Sequence, residues 1–365
     1  MNQSLLFDLP YLSPDAAPAF GQYLDAIEAQ NFAAIAQRKQ IYWDYKRQVF
    51  LKTGIKRLVL LGPPANLWEA PDSVDGLPVL KLDASVLKSQ LDADPTAVRV
   101  AFAGNCVILT NNVLAKLMPS GFIQLYRRLP ETLFIAHDYD NHHWFEMSAQ
   151  CAMLCDLYVP GHINDYTLAG RLGTRILAGI PIGSVQWSDD FIVAHREAIF
   201  SVSRQIGPLG RHHPYPKFRF RNQLIARLQT DWPDVGFVNA SEFHVKTAED
   251  RWAEWVGYHF HLIAPVSSDV PIRFFDALLT GGVPLVPIAL KASLDTYGVP
   301  EWFYATYGMN DILAPKAYLA RVASVLPITD QANRMLRHNY AMQHFQLSAT
   351  LRAILHQTIA TFSNL

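Results

Sequence analysis

The sequence predicts an α/β protein of two domains, each built from a parallel sheet flanked by helices. Three observations lead to this. The chain has 365 residues, which is more than one average hydrophobic core holds. Short apolar runs of strand length alternate with helical segments in the first half, and a second series follows in the second half. A segment rich in proline and arginine, near residues 180–220, separates the two series. We therefore expect two Rossmann-like domains facing each other across a cleft.

The composition is that of a folded protein with little net charge. Half of the residues are hydrophobic, 17% are charged and the formal net charge is −1, which argues against disorder and against a general nucleic-acid binder. Three cysteines, Cys106, Cys151 and Cys155, are too few and odd in number for a disulfide scaffold, and Cys151 and Cys155 are predicted to lie in the core rather than in a zinc site. No signal peptide is evident, and no apolar run reaches the roughly 18 residues of a membrane helix. We expect a cytoplasmic protein.

The first domain is placed at residues 1–185. Residues 18–51 carry apolar side chains at helical spacing. The G-P-P that follows the first strand lacks the G-x-G-x-x-G spacing, so a nicotinamide cofactor is poorly supported. The predicted strands are Arg57–Leu61, Val79–Leu82, Val98–Phe102, Leu133–Ala136, Leu157–Val159 and Arg175–Ala178.

The second domain is placed at residues 186–340, and residues 341–365 are predicted to form a helix that crosses back to the first domain. Thr247 is the expected cap of a helix over Ala248–Trp255, with Asp250 three residues further on. The predicted strands of this domain are Gly236–Asn239, His261–Val266 and Val283–Ile288.

The stretch from His261 to Ile288 is predicted to be a strand, loop, helix and strand. Ser268 or Asp269 is the expected helix cap, and Gly281 and Gly282 end the helix. Ligands of such sheets bind where a loop feeds a helix amino terminus, which here is residues 266–273. Arg273 and Asp276 could hold a phosphate and a sugar hydroxyl, although a surface ion pair is the alternative.

This stretch resembles the donor-binding segment of GT-B glycosyltransferases of the bacterial polysaccharide or glycan type. The resemblance is carried by Arg273 to Leu278 (RFFDAL), by the glycine pair and by the following VPLVP. It implies that Asp276 holds the ribose of an activated sugar donor and that the loop containing Ser267 and Ser268 faces the phosphates. One departure is that Ser268 stands where retaining members have a glutamate, eight residues before Asp276.

A second cluster, Ile135 to Glu146 (IAHDYDNHHWFE), follows a predicted strand. Asp138, Asp140 and His142 are the catalytic candidates, one of them being the general base toward the acceptor, with Glu146 in reserve. The alternatives are a solvated loop or a D-x-D metal site. We expect no metal or other cofactor, except for Mg²⁺ if Asp138 and Asp140 hold a diphosphate donor.

A third cluster is strongly basic and lies between Arg211 and Arg221. It resembles a binding surface for a diphosphate or an anionic acceptor, and an exposed basic loop is the alternative. With Lys246, which precedes the Thr247 cap, it supplies the remaining donor-binding candidates: His212, Lys217, Arg219 and Arg221.

The predicted function is that of a glycosyltransferase. It would move a sugar from a phosphate donor, expected to be a nucleotide sugar, to a glycan or lipid-linked acceptor, through which the protein could contact the inner membrane. One alternative is a Mg²⁺-dependent transferase using a phosphoribosyl diphosphate-type donor. The other is a non-catalytic subunit that binds a carbohydrate or a nucleotide.

Overall fold

The chain divides into two compact units in a computed structural model. The structure describes residues 32–62, 70–110, 113, 117, 120–139, 145–162, 175–184, 186–238, 246–267, 269–325 and 330–363. The first unit contains the described residues up to Ile180 together with 351–363, and the second contains Pro181–Thr350. Both contain a mainly parallel sheet, so the predicted α/β class with two Rossmann-like domains is confirmed.

The sheet of the first unit has the strand order β2-β3-β1-β4-β5-β6-β7, and all neighbours are parallel except β2 and β3. Every residue of β4 and β5 is buried, as expected for strands covered on both faces. The strands are β1 (Arg57–Leu61), β2 (Ser73–Val74), β3 (Leu77–Leu82), β4 (Asn105–Thr110), β5 (Leu133–Asp138), β6 (Leu157–Pro160) and β7 (Arg175–Ile176).

Helices connect these strands. Cys151 and Cys155 are buried in the hydrophobic core, as predicted, and Cys106 is buried in β4. The described helices of this half are α1 (Phe32–Thr53), α2 (Ala84–Ala93), α3 (Pro95–Phe102), α4 (Ser120–Arg128) and α5 (Phe145–Leu154).

The prediction of a strand at Val98–Phe102 is wrong, because these residues form the end of α3. Asp94 caps this helix by accepting a hydrogen bond from the Ala97 amide, and Pro95 occupies its first turn. Gly104 then turns the chain with φ near +82°, and the strand that sequence analysis missed begins at Asn105.

The sheet of the second unit is parallel throughout, in the order β12-β11-β10-β8-β9. Its strands are β8 (Gln205–His212), β9 (Val235–Phe237), β10 (Tyr258–Leu262), β11 (Val283–Pro287) and β12 (Ala305–Tyr307). Its helices are α6 (Asp189–His195), α7 (Ala198–Ser201), α8 (Arg219–Gln229), α9 (Ala248–Val256), α10 (Ile272–Leu279), α11 (Lys291–Thr296), α12 (Met309–Leu313), α13 (Pro315–Val325), α14 (Gln331–His344) and α15 (Leu347–Ser363), which extends into the residues of the first unit.

Strand β8 was not predicted, although it contains Arg211 and His212 of the basic cluster. Its amino-terminal half alternates poorly between polar and apolar residues, so no period of two was evident in the sequence. Pairing with β10 on one side and β9 on the other nevertheless places it inside the sheet.

The glycine pair ends α10 as predicted, and both positions require glycine. Gly281 has φ near +71°, a left-handed conformation. At Gly282 an added Cβ would lie 2.5 Å from the ring of His261. These glycines therefore let α10 turn tightly into β11.

Across the described residues, no helix combines the length and the apolar character needed to cross a membrane.

Candidate functional site

The carboxyl ends of the parallel strands in the second unit carry the loops where ligands of such sheets bind. Asp269, in the loop after β10, was predicted as a possible cap of α10, but it does not cap that helix. Its Oδ1 accepts hydrogen bonds from the amides of Val266 (2.8 Å) and Ser267 (2.9 Å). The cap position of α10 is Pro271, without a side-chain hydrogen bond to the helix. Asp269 thus fixes the shape of the loop, and Ser268 lies outside the described residues.

A cavity of about 310 Å³ lies beside α9 and the first turn of α10. We call it the Arg273 cavity. Among the described residues, four basic side chains and one carboxylate, that of Glu254, line it. Its lining residues are Arg211, Val238, Lys246, Arg251, Glu254, Trp255 and Arg273.

Arg273 contributes a partly buried guanidinium to this cavity. The group lies over the ring of Trp255, 4.9 Å from its centroid, and Nη2 donates to the carbonyl oxygen of Arg211. Burial lowers the pKa of Arg273 to about 10, so the guanidinium stays charged at neutral pH. Its Nη1 is buried and has no hydrogen-bond partner among the described residues.

Arg251 is a second arginine with an unsatisfied donor. Its Nη1 donates to the carbonyl oxygen of Lys246 at 2.8 Å, whereas its buried Nε has no partner in the described part of the chain. Thr247 starts α9 as predicted, accepting a hydrogen bond from the Asp250 amide at 3.0 Å. This cap sets the first turn of the helix from which Arg251 extends.

Glu254 neutralises only part of the positive charge of the Arg273 cavity. It lies 2.8 Å from Nζ of Lys246 and 3.5 Å from Nε of Arg211, and Arg211 is also 3.6 Å from Asp234. Neither Arg251 nor Arg273 has an ion pair within the described residues. The cavity therefore keeps an excess of positive charge, which suits an oxyanion.

A larger cavity, of about 500 Å³, lies at the ends of β10, β11 and β12. We call it the Tyr307 cavity. It contains four of the predicted donor-binding residues: Lys217, Arg219, Arg221 and Ser267. The rest of its lining is Phe218, Phe220, Leu224, Ala264, Pro265, Val266, Pro287, Ala289, Leu290 and Tyr307.

Arg221 and His212, both predicted to bind the donor, are buried within the protein. Arg221 is 8% exposed and donates to the carbonyl oxygens of Ala264 (3.0 Å) and His213 (2.9 Å). His212 is buried and lines neither cavity. Its pKa is lowered by burial and then by Arg273 and Arg221, so it supplies no cation.

Asp276 does not present a free carboxylate for a ribose. It is completely buried, and it accepts hydrogen bonds from Oγ of Ser184, at 2.6 Å, and from the amide of Gln186. Burial raises its pKa to about 7. The sequence placed Asp276 one helical turn from Arg273, but the two side chains have different partners and Asp276 borders neither cavity.

In the first unit, Asp138 ends β5 and is fully buried, with Tyr158 donating its hydroxyl to Oδ2 at 2.9 Å. Next to it, burial lowers the pKa of His137 to about 3. Asp140 and His142 lie outside the described residues, so Asp138 is the one of the three catalytic candidates that the structure describes. No group of three metal-ligating side chains occurs among the residues that the structure describes.

The structure separates the predicted donor residues into two groups. Arg273 and Lys246 lie in the Arg273 cavity, and Lys217, Arg219, Arg221 and Ser267 lie in the Tyr307 cavity. Sequence analysis missed Arg251 and Glu254 as site residues. Their spacing of three on a capped helix indicates a shared face, but a charged helix face is usually solvated.

Comparison with solved structures finds matches of low sequence identity. The Anabaena protein Alr3699/HepE, in a crystal structure with UDP and glucose, is 14% identical over 85% of this chain and all of that chain, with a TM-score of 0.46. Its complex with UDP gives 12% identity, the same coverage and a TM-score of 0.47. An α,α-trehalose-phosphate synthase (UDP-forming) from Burkholderia vietnamiensis is 11% identical over the same shares of both chains, with a TM-score of 0.43. No protein-family model matches the sequence, and no curated protein matches it.

Proposed function

We propose that the chain is a glycosyltransferase whose second unit holds the phosphates of a nucleotide-sugar donor in the Arg273 cavity. The observation that carries the proposal is a pair of buried donors, Nη1 of Arg273 and Nε of Arg251, without partners in the described residues. Leaving such donors unsatisfied costs about 1–3 kcal/mol each, and more for charged groups. A diphosphate has enough acceptor oxygens to satisfy both.

The charge of the cavity supports the same ligand. The described lining residues supply four cations and one carboxylate, and this excess of positive charge stabilises a leaving diphosphate as negative charge develops on it during glycosyl transfer. The partly buried position of the guanidinium groups strengthens this interaction relative to water. A volume of about 310 Å³ is at the lower end of the range for ligand pockets, so the cavity suits the phosphates and an adjoining group rather than a whole nucleotide sugar.

The donor site is tested by replacing Arg273. Arg273→Ala should weaken the binding of UDP, GDP or ADP, whichever the protein prefers, by about 1.5–3 kcal/mol, since charge-assisted hydrogen bonds are lost. Arg273→Lys should restore only part of the affinity, because lysine lacks the planar fork. The dissociation constants are measured by calorimetry.

Arg196 provides the matched control, as an exposed arginine of the same unit that donates to Asn339 and lines neither cavity. Arg196→Ala should bind the nucleotide like the wild type. Thermal unfolding of each variant separates loss of the site from loss of the fold. Unchanged affinity in a folded Arg273→Ala variant would contradict the proposal and move the phosphate site to Lys217 and Arg219.

The acceptor in this proposal is a hydroxyl of a glycan or of a lipid-linked glycan, and the general base is one of Asp138, Asp140 and His142. Asp138→Asn, Asp140→Asn and His142→Ala are compared for turnover and for donor affinity. Loss of the base should lower turnover by roughly 10²–10⁴ with donor affinity nearly intact. Wild-type turnover in all three would reject the base assignment.

The same assays separate the alternatives. Activity that is abolished by a chelator and restored by Mg²⁺, with phosphoribosyl diphosphate as donor, would replace the glycosyltransferase with the metal-dependent transferase. Tight nucleotide binding without transfer or donor hydrolysis would leave a non-catalytic binding protein.

A further inference from the structure

The Tyr307 cavity is not used by the proposed donor site, although it is the larger of the two cavities. Its volume is about 500 Å³, and most of its lining is apolar. Phe218 and Leu224 come from the start of α8 and its preceding loop, Pro265 from the loop after β10, and Pro287 and Leu290 from the end of β11 and beyond. An apolar ligand group would bury its surface against these side chains.

The charged side chains of this cavity are all cations. Lys217, Arg219 and Arg221 line it, and none of the described lining residues carries a carboxylate. Arg221 is occupied by the carbonyl oxygens of Ala264 and His213. Lys217 and Arg219 are exposed, and in the described part of the chain neither forms an ion pair with a carboxylate. Lys217 and Arg219 thus remain to bind an anionic group that is attached to the apolar part of the ligand.

The polar side chains of the lining are not arranged to recognise a nucleobase. The hydroxyl of Tyr307 donates to the carbonyl oxygen of Ile263 at 2.8 Å, and the donors of Arg221 are used within the protein. Besides the two cations, only Ser267 among the described lining side chains is left to bond to the edge of a base. A hydrocarbon chain, unlike a nucleobase, needs no hydrogen-bond partners, so this lining suits it.

The cavity continues into exposed apolar surface. Phe220, which lines it, is 63% exposed, and Ile288, between the lining residues Pro287 and Ala289, is 64% exposed. Large apolar side chains that stay exposed beside an apolar cavity favour a ligand whose apolar part is longer than the cavity itself.

We propose that the Tyr307 cavity binds the hydrocarbon chain of an amphiphilic phosphate, with Lys217 and Arg219 holding the phosphate. The chain lies along Phe218, Leu224, Pro265 and Leu290 and leaves past Phe220 and Ile288. The binding does not depend on the proposed function. The further step, that this amphiphile is the lipid-linked acceptor of a glycosyl transfer, rests on that function.

The experiment uses a series of alkyl phosphates from hexyl to dodecyl, each below its critical micelle concentration, titrated into the full-length protein. One site should be filled, and the dissociation constant should fall by about fourfold for each added CH₂, until the cavity is full, because that is the factor that one buried CH₂ provides. Inorganic phosphate and the neutral dodecyl maltoside should bind at least about tenfold more weakly than dodecyl phosphate. Equal binding of dodecyl maltoside would overturn the role of the cations.

Two variants locate the site. Ala289 is exposed at the rim, so Ala289→Trp should fold normally, fill the cavity and abolish alkyl phosphate binding. The double variant Lys217→Ala, Arg219→Ala should reduce the difference between dodecyl phosphate and dodecyl maltoside. Lys316→Ala, at an exposed lysine that lines neither cavity, is the control and should behave like the wild type. Undiminished binding in Ala289→Trp would overturn the proposal.

Nucleotide binding distinguishes this proposal from the donor site. Ala289→Trp should bind nucleotide normally, and Arg273→Ala should bind dodecyl phosphate normally. Loss of nucleotide binding in Ala289→Trp would assign the Tyr307 cavity to the nucleotide and contradict the proposal that it binds an amphiphilic phosphate.

Vesicles of phosphatidylcholine with phosphatidic acid test whether the hydrocarbon chain comes from a bilayer lipid or from a monomeric amphiphile. Binding to vesicles without binding to monomeric alkyl phosphate would mean that Phe220 and Ile288 contact a bilayer surface and that the cavity holds no chain.

Discussion

The two cavities of the second unit lie at the same end of one parallel sheet and differ in their chemistry. The Arg273 cavity is small, and its cations are partly buried, with donors that have no partner in the described residues. The Tyr307 cavity is larger and mainly apolar, and its two available cations, Lys217 and Arg219, are exposed. A buried cation without a partner requires an anion, whereas an exposed cation is already hydrated. A basic cluster in a sequence therefore does not by itself locate an anion site.

Replacing Asp276 should change the pH dependence of stability more than any of the other substitutions proposed. It also tests whether a buried acid outside both cavities contributes to donor binding. Its pKa is about 7 in the folded chain against an ordinary value of 3.8. Between these pH values the folded state binds a proton that the unfolded state does not, so the free energy of unfolding falls as pH rises from about 4 to 7. The slope from this group is at most about 1.4 kcal/mol per pH unit.

Chemical denaturation of the wild type and Asp276→Asn at several pH values measures this slope, and the variant should show a flatter dependence. Donor affinity should stay within about threefold of the wild-type value, since the side chain borders neither cavity. A parallel pH dependence in both proteins would contradict the raised pKa. A large loss of affinity in a folded variant would restore the ribose role that the resemblance implied.

Replacing Arg251 should have a smaller effect, on nucleotide affinity, and it tests directly whether the two cavities differ in binding phosphate. Arg251→Gln removes one partly buried cation and keeps a polar side chain of similar length. Nucleotide affinity should fall by about tenfold, or about 1.4 kcal/mol. This value is near the lower end of the range of free energies for hydrogen bonds to charged groups. Calorimetry at constant salt measures the change.

The double variant Lys217→Gln, Arg219→Gln is the counterpart in the Tyr307 cavity, and nucleotide affinity should change by less than about threefold. The opposite pattern, with Arg251→Gln neutral and the double variant impaired, would transfer the phosphates to the Tyr307 cavity. The difference that we draw between buried and exposed cations would then be wrong.

The class of the fold and most of its strands were predictable from the sequence alone. Parallel strands covered on both faces must be apolar throughout, so runs such as Arg57–Leu61, Leu133–Ala136 and Val283–Ile288 were recognisable without a structure. Local chemistry was equally readable at Thr247, which caps α9, and at Gly281 and Gly282, which end α10. Each of these depends on residues that are close in sequence.

Three features became clear only in the folded structure. The strand near residue 100 begins at Asn105 and not at Val98, Gln205–His212 forms β8, and the polar residues divide between two cavities. Strand β8 is fixed by pairing with β9 and β10, which no local pattern shows. Asp276 was expected to face a ligand, but Ser184 and Gln186, about 90 residues earlier in the chain, satisfy its carboxylate. Arg273 and Arg251 come together from α10 and α9 around one cavity. Burial and hydrogen-bond partners depend on contacts between distant segments, and they determine whether a charged residue binds a ligand or supports the fold.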